Sequence, residues 1–225
     1  IVISHDLGAN TSGGYGQYIR VPADWVMPLP KGLDLRESMI YGTAGYSAGI
    51  ALSVLQKQDI TPKSGPIIVT GATGGVGSVS VALLAGLEYS VSASSGKKNA
   101  KAFLNRLGAS EVIRREAVND ESGRTLLKEY WAGAIDSVGG NTLATILKST
   151  IKNGAVASVG LVSSSKLDTT VFPFILRGVN LKGVTTYGNS MAMRNDIWSK
   201  LANEWKPKNL EYLADDCSLE NLNSK

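Results

Sequence analysis

Two residue types that build many active sites are almost missing from this chain. It has one cysteine, Cys217, and one histidine, His5. A single cysteine cannot close an internal disulfide, so nothing points to an oxidising compartment, and a cytoplasmic location is expected. A structural zinc site needs four cysteines or paired cysteines and histidines, and a catalytic zinc usually needs three protein ligands. His5 and Cys217 with carboxylates make a poor set, so metal-free chemistry is expected. His5 itself stands outside any ligand cluster and reads as a surface or loop histidine. No apolar run approaches the ~20 residues that span a bilayer, and no membrane role is expected. Residues 1–6 show neither an initiator Met nor a signal-peptide pattern. They read as the inside of a strand, so the chain is expected to start part-way through a protein. Net charge is +4 with no dense basic block. That argues against a nucleic-acid surface and suits a cationic pocket for a phosphorylated ligand.

What is present is ample core material and many glycines. Hydrophobic residues make up 43% of the chain, enough to bury a sizeable interior. Residues 1 to about 33 are Gly-rich and turn-rich, and the alternation of YGQYIRV (15–21) predicts a strand. From Asp34 to about Gln56 apolar residues recur at helical spacing. Asp34 with Glu37 three residues on forms a capping-box pattern. Strands and helices then alternate. Strands are predicted at 67–70, 89–93, 111–113, 134–138, 155–159 and 181–184. Helices are predicted at 76–87, 98–107 with Gly108 as the C-cap, 120–130 and 141–151. Residues 191–206 read as a last amphipathic helix with Trp198, Leu201 and Trp205 on one face. Such alternation with apolar strands argues an α/β, doubly wound parallel sheet of the Rossmann type, covered on both faces.

The sequence IIVTGATGGVGS (67–78) carries the chemistry. A strand runs straight into Gly71, Gly74, Gly75 and Gly77, and a helix follows. This is the context in which a glycine motif means dinucleotide binding. Ala72-x-Gly74-x-x-Gly77 is the Rossmann pattern with alanine in place of its first glycine. Gly74 would let the backbone approach a pyrophosphate, Gly77 would let helix and strand pack closely, and the helix start would favour the negative charge. NAD-preferring domains place an acid at the end of the next strand to bind the ribose 2′-hydroxyl. Here that stretch is Ser94-Ser95-Gly96-Lys97-Lys98, without a carboxylate. Hydroxyls and lysines suit a 2′-phosphate, so NADP(H) is expected. Arg115, just past the third strand, is placed to reach that phosphate or the adenine face, although by itself it reads as a surface arginine. Thr70-Gly71-x-x-x-Gly75-x-Gly77 also fits the short-chain dehydrogenase pattern. Those enzymes use a Tyr-x-x-x-Lys pair, and no tyrosine here has a lysine four residues later.

At this level the sequence resembles the medium-chain dehydrogenase/reductases of the quinone oxidoreductase branch, and within it the acryloyl-CoA reductase family. The residues that carry the resemblance are GGYGQYIRVPADWVMPLP (13–30), YGTAGYSAGI (41–50), VTGATGGVGS (69–78), LGASEVIRRE (107–116), WAGAIDSVGG (131–140) and TTVFPFILRGVNLKGV (169–184). The resemblance implies a Rossmann domain over 34–187, inserted in a GroES-like β-barrel substrate domain of which 1–33 and 188–225 are incomplete parts. It implies that Thr73, Gly74, Gly75 and Val76 hold the pyrophosphate, and that Ser95, Gly96 and Lys97 hold the 2′-phosphate with Arg115 beside them. Leu161, Ile175 and Thr186 would line the nicotinamide half; from composition alone Ile175 would be core. Thr43 and Ser47 would lie near the cofactor, or else be helix hydroxyls bonded to backbone. The implied reaction is NADPH-dependent, zinc-free reduction of an α,β-unsaturated carbonyl such as an enoyl-CoA, or of a quinone. No residue stands out as proton donor; Asp136 is as suited to binding backbone amides. A homodimer through 169–184 is expected. A non-enzymatic NADPH-binding regulator on the same fold is the alternative.

Overall fold

The computed structural model describes residues 7–8, 10–13 and 16–224. His5 and Tyr15 lie outside the described residues. Six strands form one sheet in the order β3-β2-β1-β4-β5-β6. They are β1 (Ile67–Val69), β2 (Val91–Ser95), β3 (Glu111–Arg114), β4 (Trp131–Asp136), β5 (Thr150–Ser158) and β6 (Asn180–Gly183). Every pairing is parallel, with Val69 opposite both Ala93 and Ile135. The order reverses between β1 and β4, so the helices after these strands leave on opposite faces and a crevice opens at the strand ends.

Side-chain alternation divides the core accordingly. Ile67 and Val69 face one layer, where they meet α1 (Leu35–Lys57), α2 (Gly75–Gly86), α3 (Ala100–Arg106) and α6 (Met191–Ala202). Ile68 faces the other, with Leu143, Ile146 and Leu147 of α4 (Gly140–Ser149). The central strands are buried on both sides, as an all-parallel sheet requires.

The capping box at the start of α1 is formed. Glu37 N–H donates to Asp34 Oδ1 at 2.7 Å, and Asp34 N–H donates to Glu37 Oε2 at 3.0 Å. Gly42 interrupts the helix with φ 49° and ψ −153°, a conformation that a side chain would oppose. The remainder of α1 receives α6 across its face. Tyr41 donates to the carbonyl of Leu201 at 3.0 Å, and Tyr46 stacks on Trp198 at 6.4 Å between centroids. A Cβ at Gly49 would lie 2.8 Å from Ile197 Cγ2, so glycine allows the approach. Trp198, Leu201 and Trp205 are buried together, although the helix stops at Ala202 and Trp205 sits in the turn beyond it.

Two predicted elements differ. No strand forms over residues 16–21: Tyr18 is 94% exposed, and the segment pairs with none of the described strands. Period-two alternation marks a strand only where a neighbour supplies hydrogen bonds. No barrel strand is found among the described residues of 7–33 or 188–224. The helix predicted over 120–130 is also absent. Gly123 takes φ 72°, Asp120 Oδ1 accepts from Ser122 N–H, and the amides of Leu127 and Tyr130 donate to the carbonyls of Lys148 and Ser149. Backbone bonds to α4 thus replace those of a helix, and Arg177 adds a 2.7 Å bond to the Leu127 carbonyl. A short helix that periodicity did not suggest, α5 (Phe172–Arg177), precedes β6 and ends at Gly178 in the left-handed conformation. None of the described helices is long and apolar enough to cross a membrane.

One buried link ties the two sides of the crevice. Asp136, fully buried at the end of β4, accepts from the Thr70 hydroxyl at 2.6 Å and from Gly139 N–H at 2.8 Å. Burial pushes this carboxyl above its ordinary value, and the Thr70, Gly139 and Val138 donors partly oppose the shift. A raised folded-state value means that the ionised carboxylate costs stability at neutral pH. That cost is relieved as pH falls through the folded value toward the unfolded one near ~3.9. Thr70→Val removes one donor from a buried charge. The variant is expected to lose about 1–3 kcal/mol in thermal or denaturant unfolding at neutral pH, with the deficit shrinking as the carboxyl protonates. Wild-type stability in Thr70→Val would show that the link is not needed.

Candidate dinucleotide site

The crevice at the C-terminal ends of the strands holds a cleft of about 700 Å³. It is lined by Thr70, Gly71, Thr73, Ser94, Ser95, Gly96, Lys97, Arg115, Glu116, Asn119, Val138, Thr142, Val162 and Ser163. Its floor is the turn from β1 into α2. Gly71 takes φ 57°, and its carbonyl accepts from Gly74 N–H at 2.8 Å. Gly77 packs directly on this turn: a Cβ there would lie 2.7 Å from the Ala72 Cα and closer still to the Gly71 carbonyl. Glycine is therefore required for the helix to start where it does. The N-cap of α2 is Gly74, which has no side chain to cap the first turn, and that turn carries no acid. The first amides of a helix have no partner within it, so their positive end is left facing outward, the arrangement that receives phosphate. A Cβ at Gly75 would lie 3.1 Å from Ala44 Cβ, which puts the turn after the Gly42 kink beside this loop. Thr43 there is exposed, whereas the Ser47 hydroxyl donates to the Thr43 carbonyl at 2.8 Å and is committed to the helix.

The wall at the end of β2 is polar and closely knit. The Thr73 and Ser95 hydroxyls are 3.2 Å apart, Lys97 N–H donates to Ser95 Oγ at 3.2 Å, and Ala72 N–H donates to the Ser94 carbonyl. Arg115 comes in from the end of β3 and lies across Gly96, where a Cβ would meet its Cδ at 2.9 Å and its Nε at 3.1 Å. Gly96 thus gives the arginine its resting place over the turn. The fold brings Thr73, Ser95, Gly96, Lys97 and Arg115 into one cleft, with Gly74, Gly75 and Val76 on the adjoining helix turn.

The remaining candidates lie apart from this group. Leu161 lines a neighbouring cavity of about 260 Å³ with Gly139, Gly160 and Lys166, and is 64% exposed. Ile175 is 68% exposed on α5, outside both cavities; it is not core, because α5 turns it away from the sheet. Thr186 is half-buried after β6, and its carbonyl accepts from Arg194 at 2.9 Å. Asp136 binds Thr70 and backbone amides, the more ordinary of its two sequence readings.

Glu116 is a cleft residue that sequence reasoning passed over. The absence of an acid noted from the sequence covers only residues 94–98, at the end of β2. In a parallel sheet every strand delivers its C-terminal end to the same crevice, so the residues after β3 belong in the same search. Glu116 Oε1 accepts from Arg115 Nε and Oε2 from Arg114 Nε, each at 3.4 Å. Its carboxyl is held below the ordinary value, first by its own backbone N–H and then by the two arginines, and it is ionised across the neutral range. Asn119 and Thr142 complete the far side.

Metal chemistry has no comparable setting among the described residues. Cys217 is exposed near the C-terminal end, and no group of three His, Cys, Asp or Glu side chains that could hold a metal occurs among the described residues. A zinc ion does not fit the donors available there.

Comparison with known proteins agrees with this geometry. A family model described as zinc-binding dehydrogenase matches residues 75–203. The crystal structure of Bacillus subtilis YhfP with NAD bound superposes with a TM-score of 0.95 at 42% identity, covering 98% of this chain and 68% of that one. Escherichia coli K-12 YhdH with bound NADPH gives a TM-score of 0.91 at 41% identity, covering 96% of this chain and 66% of that one. Acrylyl-CoA reductase AcuI of Ruegeria pomeroyi is 42% identical over 93% of this chain and 64% of its own length. The chain thus spans about two thirds of the length of these relatives. Taken with the parallel six-stranded sheet and the glycine turn at its switch point, these matches place the chain in the zinc-binding dehydrogenase family of the medium-chain dehydrogenase/reductase superfamily.

Proposed function

We propose that this protein is a cytoplasmic, zinc-independent oxidoreductase that uses NADPH to reduce an α,β-unsaturated carbonyl such as acryloyl-CoA, with quinones as the other acceptor class. The observation that carries the reading is the meeting, in one cleft, of the uncapped N-terminus of α2 with the Ser95-Gly96-Lys97 turn and Arg115. Gly74, Gly75 and Val76, with Thr73, would hold the pyrophosphate on the helix start. Ser95, Gly96 and Lys97 would hold the 2′-phosphate, with Arg115 as a planar donor over it. Leu161, Ile175 and Thr186 would border the nicotinamide. NADPH, when bound, supplies a hydride. The chain's own residues bind and orient it; their apolar members, Leu161 and Ile175, would keep water from its reactive face. Asp136 is buried and committed to Thr70 and Gly139, so proton delivery falls to another group. The NADPH held by YhdH and the name of AcuI support a reductase over a non-enzymatic NADPH-binding regulator. Because YhfP was crystallised with NAD, the preference for the phosphorylated cofactor rests on the side chains at 95–97 and 115.

Residues 34–187 form the NADP-binding unit in this proposal, and 1–33 and 188–225 belong to the substrate domain. We further propose a homodimer through the edge strand β6, which among the described strands pairs only with β5 and follows the exposed Val171, Ile175 and Leu176 in the chain.

Equilibrium titration by nucleotide fluorescence should show tighter binding of NADPH than of NADH. Lys97→Glu should weaken NADPH by about 10- to 100-fold and leave NADH within a few-fold, as expected for loss of a charge-assisted bond. Consumption of NADPH should depend on acryloyl-CoA more than on simple quinones. Tighter binding of NADH, or equally feeble turnover of both acceptors, would remove the assignment. Light scattering after size exclusion should report twice the chain mass of 23.7 kDa, and Leu176→Glu should return it to the single mass. A monomeric wild type would reject the edge contact.

A further inference from the structure

The cleft contains a negative charge beside the residues proposed to hold the 2′-phosphate. Among the described residues lining it, Glu116 is the one carboxylate, beside Lys97 and Arg115. Its two oxygens face Arg115 Nε and Arg114 Nε at 3.4 Å. All three side chains are well exposed, at 61% for Glu116, 74% for Arg115 and 85% for Arg114. Exposed pairs of this length are weakly held and readily exchanged. Arg115 lies over Gly96, whose lack of a side chain leaves room for it, and is bonded there to Glu116.

We propose that Glu116 is a selectivity residue that lets this subsite accept either a ribose 2′-phosphate or a free 2′-hydroxyl. This rests on the dinucleotide reading above. An ionised carboxylate only accepts hydrogen bonds, and a 2′-hydroxyl is a donor that a phosphate lacks. With the unphosphorylated ribose, Glu116 accepts the 2′-hydroxyl. With the phosphorylated ribose, the phosphate takes over the Arg115 donor, and Glu116 turns toward Arg114 and solvent. The carboxylate therefore favours NADH and opposes NADPH through like charge, which narrows the preference that Lys97 and Arg115 create. It is a brake on selectivity, placed at the end of β3 instead of β2.

Glu116→Gln keeps the size of the side chain and removes its charge, at an exposed position where folding should be undisturbed. Dissociation constants of NADPH and NADH, measured by fluorescence titration at one fixed ionic strength, should move in opposite directions. NADPH should tighten and NADH weaken, each by roughly three- to tenfold. Glu116→Asp, which keeps the charge on a shorter stem, should fall between the two. An unchanged ratio, or a parallel shift of both constants, would overturn the proposal while leaving the dinucleotide reading intact. A wild-type protein that binds neither nucleotide would overturn both.

Discussion

The closeness with which α2 starts against the turn after β1 is the constraint on which the cleft depends. Gly77 touches the backbone of Gly71 and Ala72, and no side chain fits between them. That contact fixes the helix start, bares its first amides and sets the floor at the switch point of the sheet. The walls follow from it. Ala72 bonds to Ser94, Thr73 reaches Ser95, and Thr70 binds Asp136, so the ends of β2 and β4 are both tied to this single turn after β1. Their hydrogen bonds are internal, which leaves the helix amides and the exposed cations available to a ligand.

Charge is arranged in two layers around the turn. The buried layer holds Asp136, whose donors keep an otherwise unfavourable carboxylate in place and join β1 to β4. Exposed around the rim are Lys97, Arg114, Arg115 and Glu116, which solvent screens and a ligand can rearrange. Rigidity therefore lies where the backbone must be precise, and adjustability lies at the exposed rim, where the proposed 2′-phosphate subsite would be.

Much of this was legible in the sequence, for identifiable reasons. The sheet could be read because its strands are short apolar runs bounded by glycines, and the capping box at Asp34 and Glu37 is a local signal with a local partner. The Gly71–Gly77 loop could be read because its meaning depends on a strand before it and a helix after it, both visible in the pattern. The strand expected at 15–21 was not found over 16–21, because alternation says nothing about whether a neighbour is present. The helix expected at 120–130 was replaced by loop bonds to Lys148 and Ser149, partners that no local pattern reveals. Glu116 was passed over because it lies about twenty residues from the Ser95 turn in sequence, and only the β2–β3 pairing brings them together.

The most direct measurement is a crystal structure of this protein soaked or grown with NADPH. The account predicts the pyrophosphate on the first turn of α2 at Gly74–Val76 and the 2′-phosphate in contact with Ser95, Lys97 and Arg115. A dinucleotide seated elsewhere, or a 2′-phosphate turned away from these residues into solvent, would contradict it.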